Sequence, residues 1–261
     1  MKTSEIIVFI VYLLCMLGIG IFFFVKNRNG GEKTYFLGGR EMGPWVAALS
    51  AGASDMSAWV LMGLPTSIYA LGLGQVWIPV GLAIGYTISW LLEAPRLRKF
   101  SIVANDSITI PQYLTNRFLS KSLALQVICA IVFLVVGYTF LGGFSAVCWT
   151  DFFQGMLVLG SMFIAPIFAA FMLDTSSMSA LPGGYLNPFS SWQDIVSGLA
   201  WGLGYFGMPH IIIRFMSIKS QKDLKKSAKI GITWTLLIVF FATLIGVIGR
   251  LFLGFDESIN E

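Results

Sequence analysis

Apolar residues in this chain run in long blocks, at about 4–25, 43–65, 75–92, 123–146, 151–173, 195–213 and 230–248, with mostly short polar stretches between them. Each block has roughly the 20 residues that an α-helix needs to cross a hydrocarbon layer of about 30 Å. Backbone polar groups cannot remain unpaired in lipid, and blocks of this length suit helices rather than the short alternating strands of a barrel. The pattern therefore predicts an all-α polytopic membrane protein. Gly43-Pro44 opens the second block, with proline where its missing N–H does no harm, and Gly63-Leu64-Pro65 closes it. The first block begins almost at Met1 and lacks a small-residue cleavage site, so it reads as a retained helix.

The charges orient these blocks. All but Lys2 and Arg250 of the 17 Lys and Arg residues fall in three loops, 26–40, 96–121 and 214–229, whereas Asp174–Asp194 contains none. Basic loops remain cytoplasmic, which puts the amino terminus outside. Lys121 then lies inside and Asp174 outside, and the intervening stretch of about 52 residues must cross an odd number of times, although three crossings do not fit. One crossing plus a segment that enters and leaves the same face satisfies both constraints. Gly137, Gly142 and Gly143 weaken Leu123–Ala146 as a rigid span, so that segment is expected to be the one that turns back.

Composition narrows the class further. With 261 residues, 56% hydrophobic and 11% charged, and a mean hydropathy of +0.80, the chain lies far from soluble domains. Cys15, Cys129 and Cys148 have no metal-ligand spacing and suggest no disulfide framework. The net charge of +4 resides in the membrane-flanking loops, so a lipid bilayer rather than nucleic acid is the expected environment. No nucleophile motif or paired intramembrane carboxylates point to an enzyme.

The candidate chemistry sits in Ser50-Ala51-Gly52-Ala53-Ser54-Asp55-Met56-Ser57-Ala58-Trp59. Asp55 is the only acidic or basic side chain between Glu41 and Glu93, near the middle of a crossing. A carboxylate at that depth costs at least a few kcal/mol unless met by a cation or polar groups. Ser50, Ser54 and Ser57 line one helical face, with Asp55 off it. If the helix loosens around Gly52 to Asp55, carboxylate, hydroxyls and freed carbonyls could converge on one small cation, since irregular backbone is tolerated there only beside a cavity or within protein. The alternative is a carboxylate satisfied by a neighbouring helix for packing alone. Ala58-Trp59 before Gly63-Leu64-Pro65 has an echo in Ala200-Trp201 before Gly207-Met208-Pro209, in a crossing of opposite direction. Paired glycine- and proline-broken helices in opposite orientation mark the central site of inverted-repeat transporters; close packing through the glycines of 201–207 is the other reading. His210 beside Pro209 reads as a structural hydrogen-bonding residue rather than a proton relay.

Phe36-Leu37-Gly38-Gly39-Arg40, Gly43-Pro44-Trp45, Leu49 through Ser57, Tyr138 through Phe144, Trp149-Thr150-Asp151 and Trp201 through His210 together resemble the sodium:solute symporter family across nearly the whole chain. The resemblance implies a partial inverted-repeat transporter fold with broken helices in a single transmembrane domain, 1–261. Within it, 4–25 would be an extra N-terminal helix, 43–173 a shortened first repeat and 195–250 the first two helices of the second. It further implies a bacterial inner-membrane, multi-pass symporter that couples Na+ to import of a small zwitterion, L-proline first and a betaine as alternative, with no organic cofactor. Sodium would be bound by Asp55 with the carbonyls of Ala53 and Met56. Ser57, Trp201, Tyr205 and Pro209 would face the solute, and Arg40 and Asp151 would influence sodium coupling from the cytoplasmic side. The chain departs from the family in an internal deletion after Val136, a missing C-terminal half, Ala58 in place of the usual glycine and Met208 in place of the usual glutamine. These departures support a rival expectation, a transport-incompetent remnant.

Overall fold

The computed structural model describes residues 3–56, 59–119, 127, 143–172 and 181–253, and the described residues are helical throughout apart from turns and one isolated bridge. In chain order the helices are α1 (Thr3–Asn27), α2 (Glu32–Leu37), α3 (Pro44–Asp55), α4 (Leu64–Leu71), α5 (Trp77–Ile88), α6 (Ala94–Val103), α7 (Ile110–Arg117), α8 (Gly143–Met172), α9 (Trp192–Ala200), α10 (Pro209–Ser217) and α11 (Gln221–Leu253). Among the described residues four helical stretches are long and apolar enough to span a bilayer: Ile6–Asn27, Leu73–Val103, Gly143–Met172 and Gln221–Phe252. A fifth candidate is the broken pair Trp192–Gly207 and Pro209–Ser217. This is a multi-pass membrane protein.

Two boundaries differ from the sequence expectation. The third of these spans begins at Gly143, not at Asp151, so Gly143–Ala146 belongs to a continuous helix. Gly143 takes a left-handed φ of +61° against the backbone of Tyr35, the turn that launches α8. The rest of the segment expected to turn back, and the junction after Val136, lie outside the described residues. In the second block the helix does not loosen at Gly52. It runs to Asp55, and Met56 N–H still bonds Gly52 C=O at 3.0 Å. Described helix resumes at Trp59 in a π-helical turn, Trp59–Gly63. A second π-helical turn, Ser89–Glu93, joins α5 to α6.

The chain forms two compact units of interleaved segments. The first comprises Met1–Ala51, Ala94–Gln154 and Pro209–Ser227. Its core includes Leu37, Leu49, Cys148, Ile211, Phe215 and Met216. Met42 pairs with the α10–α11 connection, its N–H donating to Ser217 C=O and its C=O accepting from Lys219 N–H, both at 3.3 Å.

The second unit comprises Gly52–Glu93, Gly155–Met208 and Ala228–Glu261. Its seam is glycine on glycine. Gly81 and Gly85 of α5 meet Gly198 of α9 and Gly202 of the following 3-10 turns, so closely that a Cβ on Gly85 would lie 2.1 Å from Gly202 O. Both stretches read Gly-x-x-x-Gly, the small-residue spacing that lets helix backbones approach in membranes. The packing reading therefore holds for Gly202, and its partners in α5 are a signal the sequence carried unread. At one end of this unit Tyr185 O–H donates to Ile68 C=O at 2.7 Å, and the Arg250 guanidinium lies over the Tyr69 and Tyr185 rings.

Candidate ion and solute site

Within the second unit, α3 ends on Asp55 and leaves its side chain half-buried. The hydroxyl of Tyr205, from the 3-10 turns after α9, donates to Asp55 Oδ2. Tyr205 is 2% exposed, its ring set edge-on to Tyr86 with centroids 5.5 Å apart. Trp59 and Trp201 stack nearly parallel at 5.3 Å, and Trp201 remains 49% exposed. The two glycine-broken stretches singled out in the sequence thus meet twice, by carboxylate and hydroxyl and by paired indoles.

The local reasons are plain. Ala53 and Asp55 lie in the last described turn of α3, with Met56 buried just beyond it. Oxygen donors of this kind, a carboxylate and backbone carbonyls, suit a hard cation. Gly52 is required there for packing, since a Cβ would lie 2.3 Å from the Trp234 ring. Ser57 falls outside the described residues. Pro209 starts α10 in the first unit.

Arg40 and Asp151 both belong to the first unit but serve separate networks. Gly38, Gly39 and Arg40 are successive left-handed residues, with φ of 58°, 68° and 58°. That backbone is unfavourable for arginine, and the buried guanidinium offsets it with four bonds: to Asp106 Oδ1 and Ser101 Oγ at 3.1 Å, Met216 C=O at 2.7 Å and Ser107 C=O at 2.8 Å. Asp151 is held elsewhere. Arg214 Nη2 donates to Asp151 Oδ2 at 2.5 Å and Arg214 Nε to Ser50 Oγ at 2.6 Å, while Ser50 O–H donates to the same Asp151 oxygen at 2.8 Å. A further Arg214 N–H donates to the carbonyl of His210, which gives the His210 backbone a structural role. Arg214 was not singled out from the sequence; a basic residue at a helix end looks like a topology marker, and only the fold brings it to Asp151.

The Arg40 network predicts an acid-sensitive step. Burial works to raise the Asp106 carboxyl, but Lys33, whose Nζ lies 2.5 Å away, and Arg40 outweigh it and hold the group below its usual 3.8. A carboxyl lowered on folding adds stability that is fully present above its unfolded value and lost as pH falls through its folded value. Acid titration followed by helical circular dichroism should show a loss below about pH 4 that is reduced in Asp106→Asn.

The sodium:solute symporter family profile matches residues 35–137 and 123–258. Sodium/proline symporters of Staphylococcus aureus strains USA300 / TCH1516 and JH9 are each 39% identical over 284 residues, covering 93% of this chain. The chain spans 55% of the length of these relatives. Among solved structures, a Na+-coupled sialic acid symporter in a substrate-bound outward-open state superposes with a TM-score of 0.69 at 19% identity, over 98% of this chain and 64% of that one. That likeness speaks to the fold.

Proposed function

Because this chain belongs to the sodium:solute symporter family, a family of transporters and not of enzymes, we propose that it couples sodium to the import of L-proline. The observation that carries the reading is the Tyr205 hydroxyl on Asp55, which joins the sodium-side carboxylate to the solute-side broken stretch. Asp55, with carbonyls of Ala53 and Met56, holds the ion, which is cargo here. Ser57, Trp201 and Tyr205 hold the solute, and stacked Trp59 adds an aromatic face suited to a cationic amine. Arg40 and Asp151 act on sodium coupling from the cytoplasmic side, Asp151 through its bond to Arg214. Each sodium ion moving inward releases roughly 2.3 kcal/mol per 100 mV, available for concentrating solute. Residues 43–173 form a shortened first repeat and 195–250 the first helices of the second, in a bacterial inner membrane with the amino terminus outside.

The test is uptake of radiolabelled L-proline by proteoliposomes containing the whole chain, with and without an inward sodium gradient. Sodium-dependent accumulation is expected, with Asp55→Asn raising the sodium needed for half-maximal uptake at least tenfold. Uptake of a betaine in preference to proline would change the solute but keep the site. The rival reading is a transport-incompetent remnant; wild-type vesicles without any sodium-dependent signal would establish it.

A further inference from the structure

A groove of about 840 Å³ lies within the first unit, along α6 and the start of α11. Its lining includes Arg96, Lys99, Phe100, Ile102, Val103 and Gln221. We infer that this groove binds the headgroup of an anionic phospholipid in the bilayer leaflet that faces the basic loops.

Three observations carry the inference. The first is depth. The helical stretch Leu73–Val103 has 31 residues, about 46 Å at 1.5 Å per residue. A bilayer is about 30 Å thick in its hydrocarbon and 40–45 Å with its headgroups. A helix of that length that crosses the hydrocarbon carries α6, at its end, into the headgroup layer.

The second is charge. Arg96 and Lys99 lie one helical turn apart, both exposed, and neither makes an ion pair or side-chain hydrogen bond among the described residues. Two other basic side chains nearby are committed. Arg98 donates to the carbonyls of Ile218 and Lys219 and so fixes the groove wall. Arg117 caps the Phe100 ring at 5.2 Å. Lys225, exposed one turn beyond Gln221 on α11, adds a cation on the same helical face. Basic clusters at this level attract anionic lipid, each Lys or Arg strengthening the attraction.

The third is the mixed lining. Phe100, Ile102 and Val103 are 40%, 46% and 73% exposed beside those cations. A soluble polyanion would have no use for three exposed apolar side chains. A phospholipid uses both kinds of surface, the phosphate against Arg96 and Lys99 and the glycerol and first methylenes against Phe100, Ile102 and Val103.

The test is native mass spectrometry of the detergent-solubilised whole chain, titrated with phosphatidylglycerol or with phosphatidylcholine of the same acyl chains. Phosphatidylglycerol should bind more tightly. Arg96→Gln with Lys99→Gln should lower its affinity roughly 10- to 30-fold, while Arg28→Gln, an exposed basic residue in another loop, should leave it unchanged. Both substituted sites are exposed, and circular dichroism checks that each variant keeps its helix content. Equal affinity for the two lipids would overturn the inference, as would an unaltered double variant or an equal loss in Arg28→Gln. Displacement by glycerol 3-phosphate at the same concentration as phosphatidylglycerol would also overturn it, because the groove would then be an anion site with no lipid component.

Discussion

Replacing Arg214 by Met lowers the stability of the folded chain by about 3–5 kcal/mol, the largest single loss expected anywhere in the described structure. Arg214 is 3% exposed and makes three kinds of contact at once, with the Asp151 carboxylate, the Ser50 hydroxyl and the His210 carbonyl. Methionine fills a similar volume but leaves Asp151, whose side chain is 13% exposed, without its cation. Losing the cation beside a carboxylate held largely out of solvent, which keeps the Ser50 hydroxyl as a donor, is what makes such a change expensive, not the worth of the pair itself. The double variant Arg214→Met with Asp151→Leu should therefore recover most of the loss. Unfolding of the purified chain in mixed micelles, followed by circular dichroism, measures both. A double variant as unstable as the single one would show that the cost lies in packing around Arg214, for example its stacking over Phe144 at 5.9 Å.

Gly85→Ala gives the second large effect, opposite in sign to helix propensity. Alanine is worth about 1 kcal/mol over glycine inside a helix, yet here it should destabilise by about 1–3 kcal/mol. The new methyl would meet Gly202 O at 2.1 Å and Gly202 Cα at 2.6 Å, and neither is the movable end of a side chain. Gly202→Ala meets Gly81 O at 2.3 Å and should behave alike. Gly160→Ala supplies the control, because nothing lies within 4 Å of its would-be Cβ and only the propensity gain remains. Thermal unfolding of the three variants in one detergent ranks them; a stabilised Gly85→Ala would mean that α5 and the turns after α9 do not touch through backbone.

Both effects show where local reasoning stops. The apolar blocks were enough to place the four long spans and the broken pair among the described residues, because lipid forces every backbone bond inside its own segment and leaves block length as the deciding quantity; the block at 43–65 is not among them, since α3 ends at Asp55. Asp55 stood out for the same reason, as an expensive charge in an apolar run, and Trp201 stood out through the glycine-broken echo, whereas Tyr205 was marked only by the family resemblance. That echo proved to be two contacting stretches, Tyr205 on Asp55 and Trp201 on Trp59. The position of the helix end was less legible. Gly52 looked like the weak point, but a Trp234 ring packed over it keeps α3 intact as far as Asp55.

Which block crosses, which way charge biases it, and which carboxylate is too costly to be idle are properties of residues taken a turn or a segment at a time. Chain order alone carries them. Which cation answers Asp151, whether a glycine serves as hinge or as contact surface, and where two unpaired basic side chains share a groove with exposed apolar ones depend on residues tens to more than a hundred positions apart. Such partners are selected by packing between helices, which no periodicity within a single helix encodes.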